Sequence, residues 1–151
     1  MRREDILKMC AAEDEVIYAV KGKKEAVAFR KSLIFITEKG LVKDLRAADA
    51  KLSKSEKLEK YIELAQTLEK GEKTEGFVSA RRKTPDGTDA ICIESLDGRR
   101  KWIDKTFTDC FSYKRRYWFE DNGWYPGMVF ISEEDIICGI IMILNISDET
   151  C

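Results

Sequence analysis

Hydrophobic and polar positions along the chain change period several times, and each change marks an element. Residues 2–12 place Ile6, Leu7, Met9 and Cys10 among charges at helical spacing, with Glu4 and Asp5 in the first turn, which predicts a short amphipathic helix. Residues 16–20 and 26–29 are β-prone runs flanking Lys21-Gly22-Lys23-Lys24-Glu25, the pattern of a hairpin with a glycine turn. A third strand is expected over 33–37, ending at Gly40.

From residue 41 to 70 β-branched residues nearly vanish and Ala, Leu, Lys and Glu dominate, as in a helix. Ser53 with Glu56 three residues on fits a capping box. Leu58, Tyr61, Ile62, Ala65 and Leu68 recur at helical spacing, and Gly71 marks the stop, so a helix is expected over 54–70. Strands are then expected over 77–82 and 88–95, joined by a type I turn at Thr84-Pro85-Asp86-Gly87. Ile103, Phe107, Cys110 and Phe111 suggest a short helix within 101–111.

The remainder reads as strands over 117–119, 128–131 and 136–146. Asn122-Gly123 supplies the strongest hairpin signal, because both residues tolerate the positive φ of a type I′ turn. The last strand is apolar at nearly every position, so both of its faces should be covered and it should lie inside the sheet. The predicted fold is α+β: one domain over residues 1–151, with a mostly antiparallel sheet of about seven strands covered by two or three helices.

Composition supports a folded chain. At 151 residues and 44% hydrophobic, one core suffices without a disulfide or metal staple. The five cysteines (Cys10, Cys92, Cys110, Cys138 and Cys151) are odd in number, widely spaced and without a CxxC pair, which predicts reduced core thiols and a cytoplasmic protein. The longest apolar run, residues 136–144, is short of the roughly 20 residues a membrane helix needs, so no membrane association is expected.

The net charge of −1 argues against bulk electrostatic binding of nucleic acid, yet it hides a layout. Between Arg99 and Arg116 seven cations face two anions, whereas residues 117–151 hold seven anions and no Lys or Arg. Within that basic segment Arg99, Arg100, Lys101, Lys114, Arg115 and Arg116 interleave with Trp102 and Trp118, as base stacking plus phosphate neutralisation would require. The competing reading is that the aromatics are core and the cations pair with the acidic tail.

Trp124 and Tyr125, between two predicted strands, are the candidate protein-contact residues, Trp and Tyr being favoured at binding hot spots. The chain has no His, which excludes Ser-His and Cys-His nucleophile schemes. Glu120/Asp121 and Glu133/Glu134/Asp135 are the carboxylates a Mg²⁺-dependent enzyme could use, but solvated turns explain them better. No phosphate-binding glycine motif is present, and no resident cofactor, metal site or catalytic residue is assigned.

The segment Trp102-Ile103-Asp104-Lys105-Thr106-Phe107-Thr108-Asp109-Cys110-Phe111, followed by a hairpin and then Gly139-Ile140-Ile141-Met142-Ile143-Leu144, resembles the closing unit of phage-type sliding-clamp DNA polymerase processivity domains. This chain has room for one such unit, where a clamp protomer repeats it. The resemblance implies a DNA-replication accessory role, which joins the nucleic-acid alternative. The reading preferred from the residues is a non-catalytic binding module acting through protein contacts; self-association into a homo-oligomer is compatible with it.

Overall fold

A computed structural model describes residues 1–38 and 40–146. Among these residues ten strands form one sheet in the order β4-β1-β2-β3-β10-β9-β8-β5-β6-β7. They are β1 (Val16–Lys21), β2 (Lys24–Phe29), β3 (Leu33–Glu38), β4 (Leu52–Lys54), β5 (Lys73–Lys83), β6 (Asp89–Ser95), β7 (Arg100–Asp104), β8 (Arg116–Glu120), β9 (Met128–Glu133) and β10 (Ile136–Met142). Among the described residues only the β1–β4 pair is parallel. The helices are α1 (Arg3–Ala11), α2 (Leu41–Ala47), α3 (Glu59–Lys70) and α4 (Lys105–Thr108). No helix among the described residues is long and apolar enough to cross a membrane. Cys151, Asp148 and Glu149 lie outside the described residues.

Side-chain alternation along the central strands sends residues to two cores. On β2, Val27 and Phe29 meet Ile6, Cys10, Leu41 and Leu45 of α1 and α2, while Ala26 and Ala28 join the core of Ile62, Ala65 and Leu68 from α3. The alanines leave room for α3 to lie close to the sheet. β10 divides likewise, with Ile141 in the first core and Ile137 and Ile140 in the second, and it pairs with both β3 and β9. The last strand thus joins the N-terminal meander to the C-terminal strands, and its near-continuous apolar sequence is the consequence of being covered on both faces.

The sheet has more strands than the expected seven or so: β4 and β7 match none of the expected strand ranges, and each takes the place of the start of an expected helix. Ser53 does not cap a helix: it lies in β4, where Val16 N donates to Lys51 O at 2.7 Å and Ser55 N to Tyr18 O at 2.8 Å. Parallel pairing with β1 satisfies this backbone, so the helix starts later, through a 3₁₀ turn at Glu56–Leu58. In the same way Trp102 and Ile103 belong to β7, opposite Cys92 and Ile91 of β6, and the helical part of that segment shrinks to α4. Asp104 caps it, accepting from Thr106 N at 2.9 Å.

Two turns illustrate how local signals fare. Gly87 N donates to Thr84 O at 2.9 Å, closing the expected β5–β6 turn. The expected two-residue type I′ turn at Asn122-Gly123 is replaced by a loop over residues 121–127, in which Gly123 has φ +73° and Asn122 stays at negative φ. A tertiary device also starts α2: the buried carboxylate of Glu25, on β2, accepts from Gly40 N at 3.2 Å and Val42 N at 3.1 Å. No adjacent capping side chain is needed.

Candidate protein-contact site

Glu120 ends β8 and is 7% exposed. A carboxylate so buried requires donors, and the following loop supplies them: Oε2 accepts from Asn122 N at 2.5 Å, and Oε1 from Trp124 N at 2.9 Å and Tyr125 N at 3.2 Å. Asp121 ties the base of the loop to its flank, accepting from Thr74 Oγ1 at 2.8 Å and from Arg99 at 3.0 Å. The backbone that carries Trp124 is therefore fixed from within, while its indole is 73% exposed. Tyr125 is half-buried and packs against the α3-side core.

Beside this loop α3 presents Lys60, Leu64, Thr67 and Leu68 on one face, at the three- and four-residue spacing that aligns side chains on a helix. Helix and loop enclose an open groove of about 340 Å³, with Trp124 and Tyr125 on its opposite wall. The structure thus brings the two sequence-predicted contact residues together with a helix face of which periodicity singled out Leu68 alone.

The basic and aromatic residues do not form one platform. Trp102 is 3% exposed, packed with Ala90 and Cys92. Trp118 is half-buried on the other side of the strand from Phe119; its Nε1 donates to Ser132 Oγ at 2.8 Å, with Lys73 and Arg116 over its ring. Arg99 pairs with Asp97 and Asp121, Arg100 with Glu94, and Arg116 with Glu75 through both carboxylate oxygens. Arg115 donates to Tyr117 Oη at 2.8 Å and lies 3.6 Å from Asp109. Lys101 donates to Met128 O at 3.1 Å, and burial lowers its amine pKa. Lys114 is exposed over the Tyr113 ring. Among the described residues, the carboxylates on these pairs lie on β5, on β6 and in the turns, and Asp121 is from the acidic C-terminal region.

Among the other sequence-derived candidates, Glu133 accepts from Ser112 N at 2.6 Å, and Glu134 occupies the β9–β10 turn at φ +58°. Among the described residues no group of three His, Cys, Asp or Glu is arranged to hold a metal ion. Cys10, Cys92, Cys110 and Cys138 are buried free thiols. Burial pushes the pKa of Cys10 and Cys138 up to about 12 and that of Cys110 to about 11, with nearby anionic groups adding to the effect. Because these folded values lie above the thiol reference of 9.0, their contribution to stability is intact well below pH 9, begins to fall as pH approaches 9 and is lost as pH rises toward 12. We expect stability to begin falling between about pH 8 and 9 and to fall more steeply above pH 9, read from urea midpoints. An unchanged midpoint would show that these thiols are solvated.

Glu120 as a loop organiser was beyond sequence reasoning, which read it as a turn carboxylate; the one signal available was its position two residues before Asn122-Gly123. Comparison with protein-family models, with curated proteins and with solved structures gives no match, so the site's own geometry carries the functional reading.

Proposed function

We propose that this chain is a non-catalytic binding module that captures a protein partner at Trp124, with Tyr125 and the adjoining face of α3 completing the contact. The observation that carries this reading is an exposed indole on a loop whose backbone is already clamped by Glu120. A clamped loop loses little conformational freedom on association, so more of the indole's burial energy is realised as affinity. Trp is also the residue type that most often dominates an interface. The groove beside it gives a partner side chain an apolar wall from Leu64 and Leu68.

The nucleic-acid alternative, through Arg99, Arg100, Lys101, Lys114, Arg115, Arg116, Trp102 and Trp118, asks phosphates to displace carboxylates that already hold Arg99, Arg100 and Arg116. The sliding-clamp likeness belongs with that alternative. A quantitative capture experiment separates the readings, with the wild-type chain and Trp124→Ala as baits and nuclease-treated and untreated lysates. Capture of a protein that survives nuclease and falls about tenfold or more in Trp124→Ala, with unchanged thermal stability, supports the module. Indifference to Trp124→Ala, or capture abolished by nuclease and by Arg115→Ala/Arg116→Ala, overturns it.

A further inference from the structure

The long strand β5 has neighbours on both sides over only part of its length. It pairs with β8 from Lys73 to Gly76 and with β6 from Gly76 to Lys83, so residues 77–83 have a strand on one side only. Exposure follows this division: Lys73 to Gly76 are half-buried or buried, whereas Phe77, Val78, Ser79 and Arg81 are exposed. Phe77 is 53% and Val78 52% exposed, and they point to opposite faces of the strand. The register with β6 shifts between Val78 and Ala80, and on either side of that irregularity alternate backbone N–H and C=O groups face outward, a template for one more strand.

The surroundings define what that strand must be. Arg81, Arg82 and Lys83 lie on the edge itself, and Lys114, Arg115 and Arg116 stand where β8 stops. Asp89, Asp109 and Glu75 engage Arg81, Arg115 and Arg116, and Arg82 stands over the Trp102 ring, so the exposed Lys83 and Lys114 are the cations that select the charge of the partner. A second copy of this chain would bring two such sets of cations into one seam. We infer that residues 77–82 of β5 accept an extended, acidic segment of a partner protein as an added antiparallel strand, whose apolar side chains cover Phe77 on one face and Val78 on the other. The backbone supplies affinity, and the charge selects the partner. This surface is separate from the Trp124 groove, and neither reading depends on the other.

The probe is a fluorescein-labelled eight-residue peptide of repeating Val-Val-Asp-Asp, which puts a Val on each face of the strand, titrated by polarisation against the full chain, with Val-Val-Lys-Lys and Val-Val-Ser-Ser repeats of equal length alongside. We expect the acidic peptide to bind, to weaken several-fold between about 50 and 300 mM salt, and to exceed the basic peptide by about tenfold or more. Val78→Asp, at an exposed position, should reduce its binding about tenfold, and Leu96→Ala, at an exposed turn, should leave it unchanged. Because a variant can perturb the fold, hydrogen exchange on the wild-type chain locates the site: new protection falls on amides within 77–82. Equal binding of acidic and basic peptides, or protection centred on residues 121–125, overturns the inference. So does protection of 77–82 that rises with protein concentration alone, because the occupant is then a second copy.

Discussion

Replacing Gly139 by Val is expected to cost about 3 kcal/mol or more, and by Ala about 2 kcal/mol, because Phe111 occupies the space a side chain would need. A Cβ on Gly139 would stand 2.7 Å from Phe111 Cε1, and Phe111 is fully buried. The ring has nowhere to retreat: it packs against Phe35 at 5.6 Å between centroids, and Gly139 is itself the register partner of both Phe35 and Ile131. Strain here falls on the strand that joins the two parts of the sheet. Urea midpoints measure the cost, and Phe111→Leu provides the second arm of a cycle. Shrinking the ring costs about 1 kcal/mol or more alone, yet should relieve Gly139→Ala, making the double variant more stable than the sum of the singles by about 1 kcal/mol. A Gly139→Ala protein within about 0.5 kcal/mol of wild type would show that the ring can move aside.

The second large effect is expected at Glu120. Glu120→Ala strips three loop N–H groups of their acceptor in a part-buried setting, which should cost about 2–3 kcal/mol. It should also release the Trp124 backbone, so that amides of residues 122–125 exchange faster and partner capture falls although the indole is still present. Glu120→Gln keeps one carbonyl acceptor and nearly the same shape, and should lie between the two. Loop exchange as slow as wild type in Glu120→Ala would mean that the loop is held by Tyr125 packing, and the clamp argument would fail.

These effects show where a single chain's sequence carries structural information. The strands of the N-terminal meander were legible because their apolar runs are interrupted by turn residues at short range: Gly22 sits at φ +60° between β1 and β2, and both flanking strands lie close to their expected bounds. The capping box at Ser53 was equally legible and does not form, because a cap is worth about 1 kcal/mol and strand pairing with β1 satisfies more of the same backbone. Asn122-Gly123 marked the right connection with the wrong geometry. Its turn preference yields to the buried carboxylate of Glu120, two residues earlier.

The candidate site divides along the same line. Trp124 and Tyr125 could be named from composition, since an aromatic pair between strands is visible without coordinates. The exposed indole over a groove beside α3 could not, because which loop comes to lie beside Leu64 and Leu68 is not a local property of the helix. The basic segment shows the converse: its cations are plain in the sequence, and their carboxylate partners Glu75, Glu94, Asp97, Asp109 and Asp121 are spread from β5 to the β8–β9 loop.

The α+β class, the mostly antiparallel pairing and the lack of histidine chemistry are legible in the chain, because periodicity, turn residues and composition are local properties that need no knowledge of neighbours. Tertiary structure alone decided the ten-strand order, the insertion of β10 between β3 and β9, the clamp at Glu120 and the one-sided edge of β5. Each of these depends on which distant segments meet, and what a buried carboxylate or a strand edge becomes is set by the partner that reaches it.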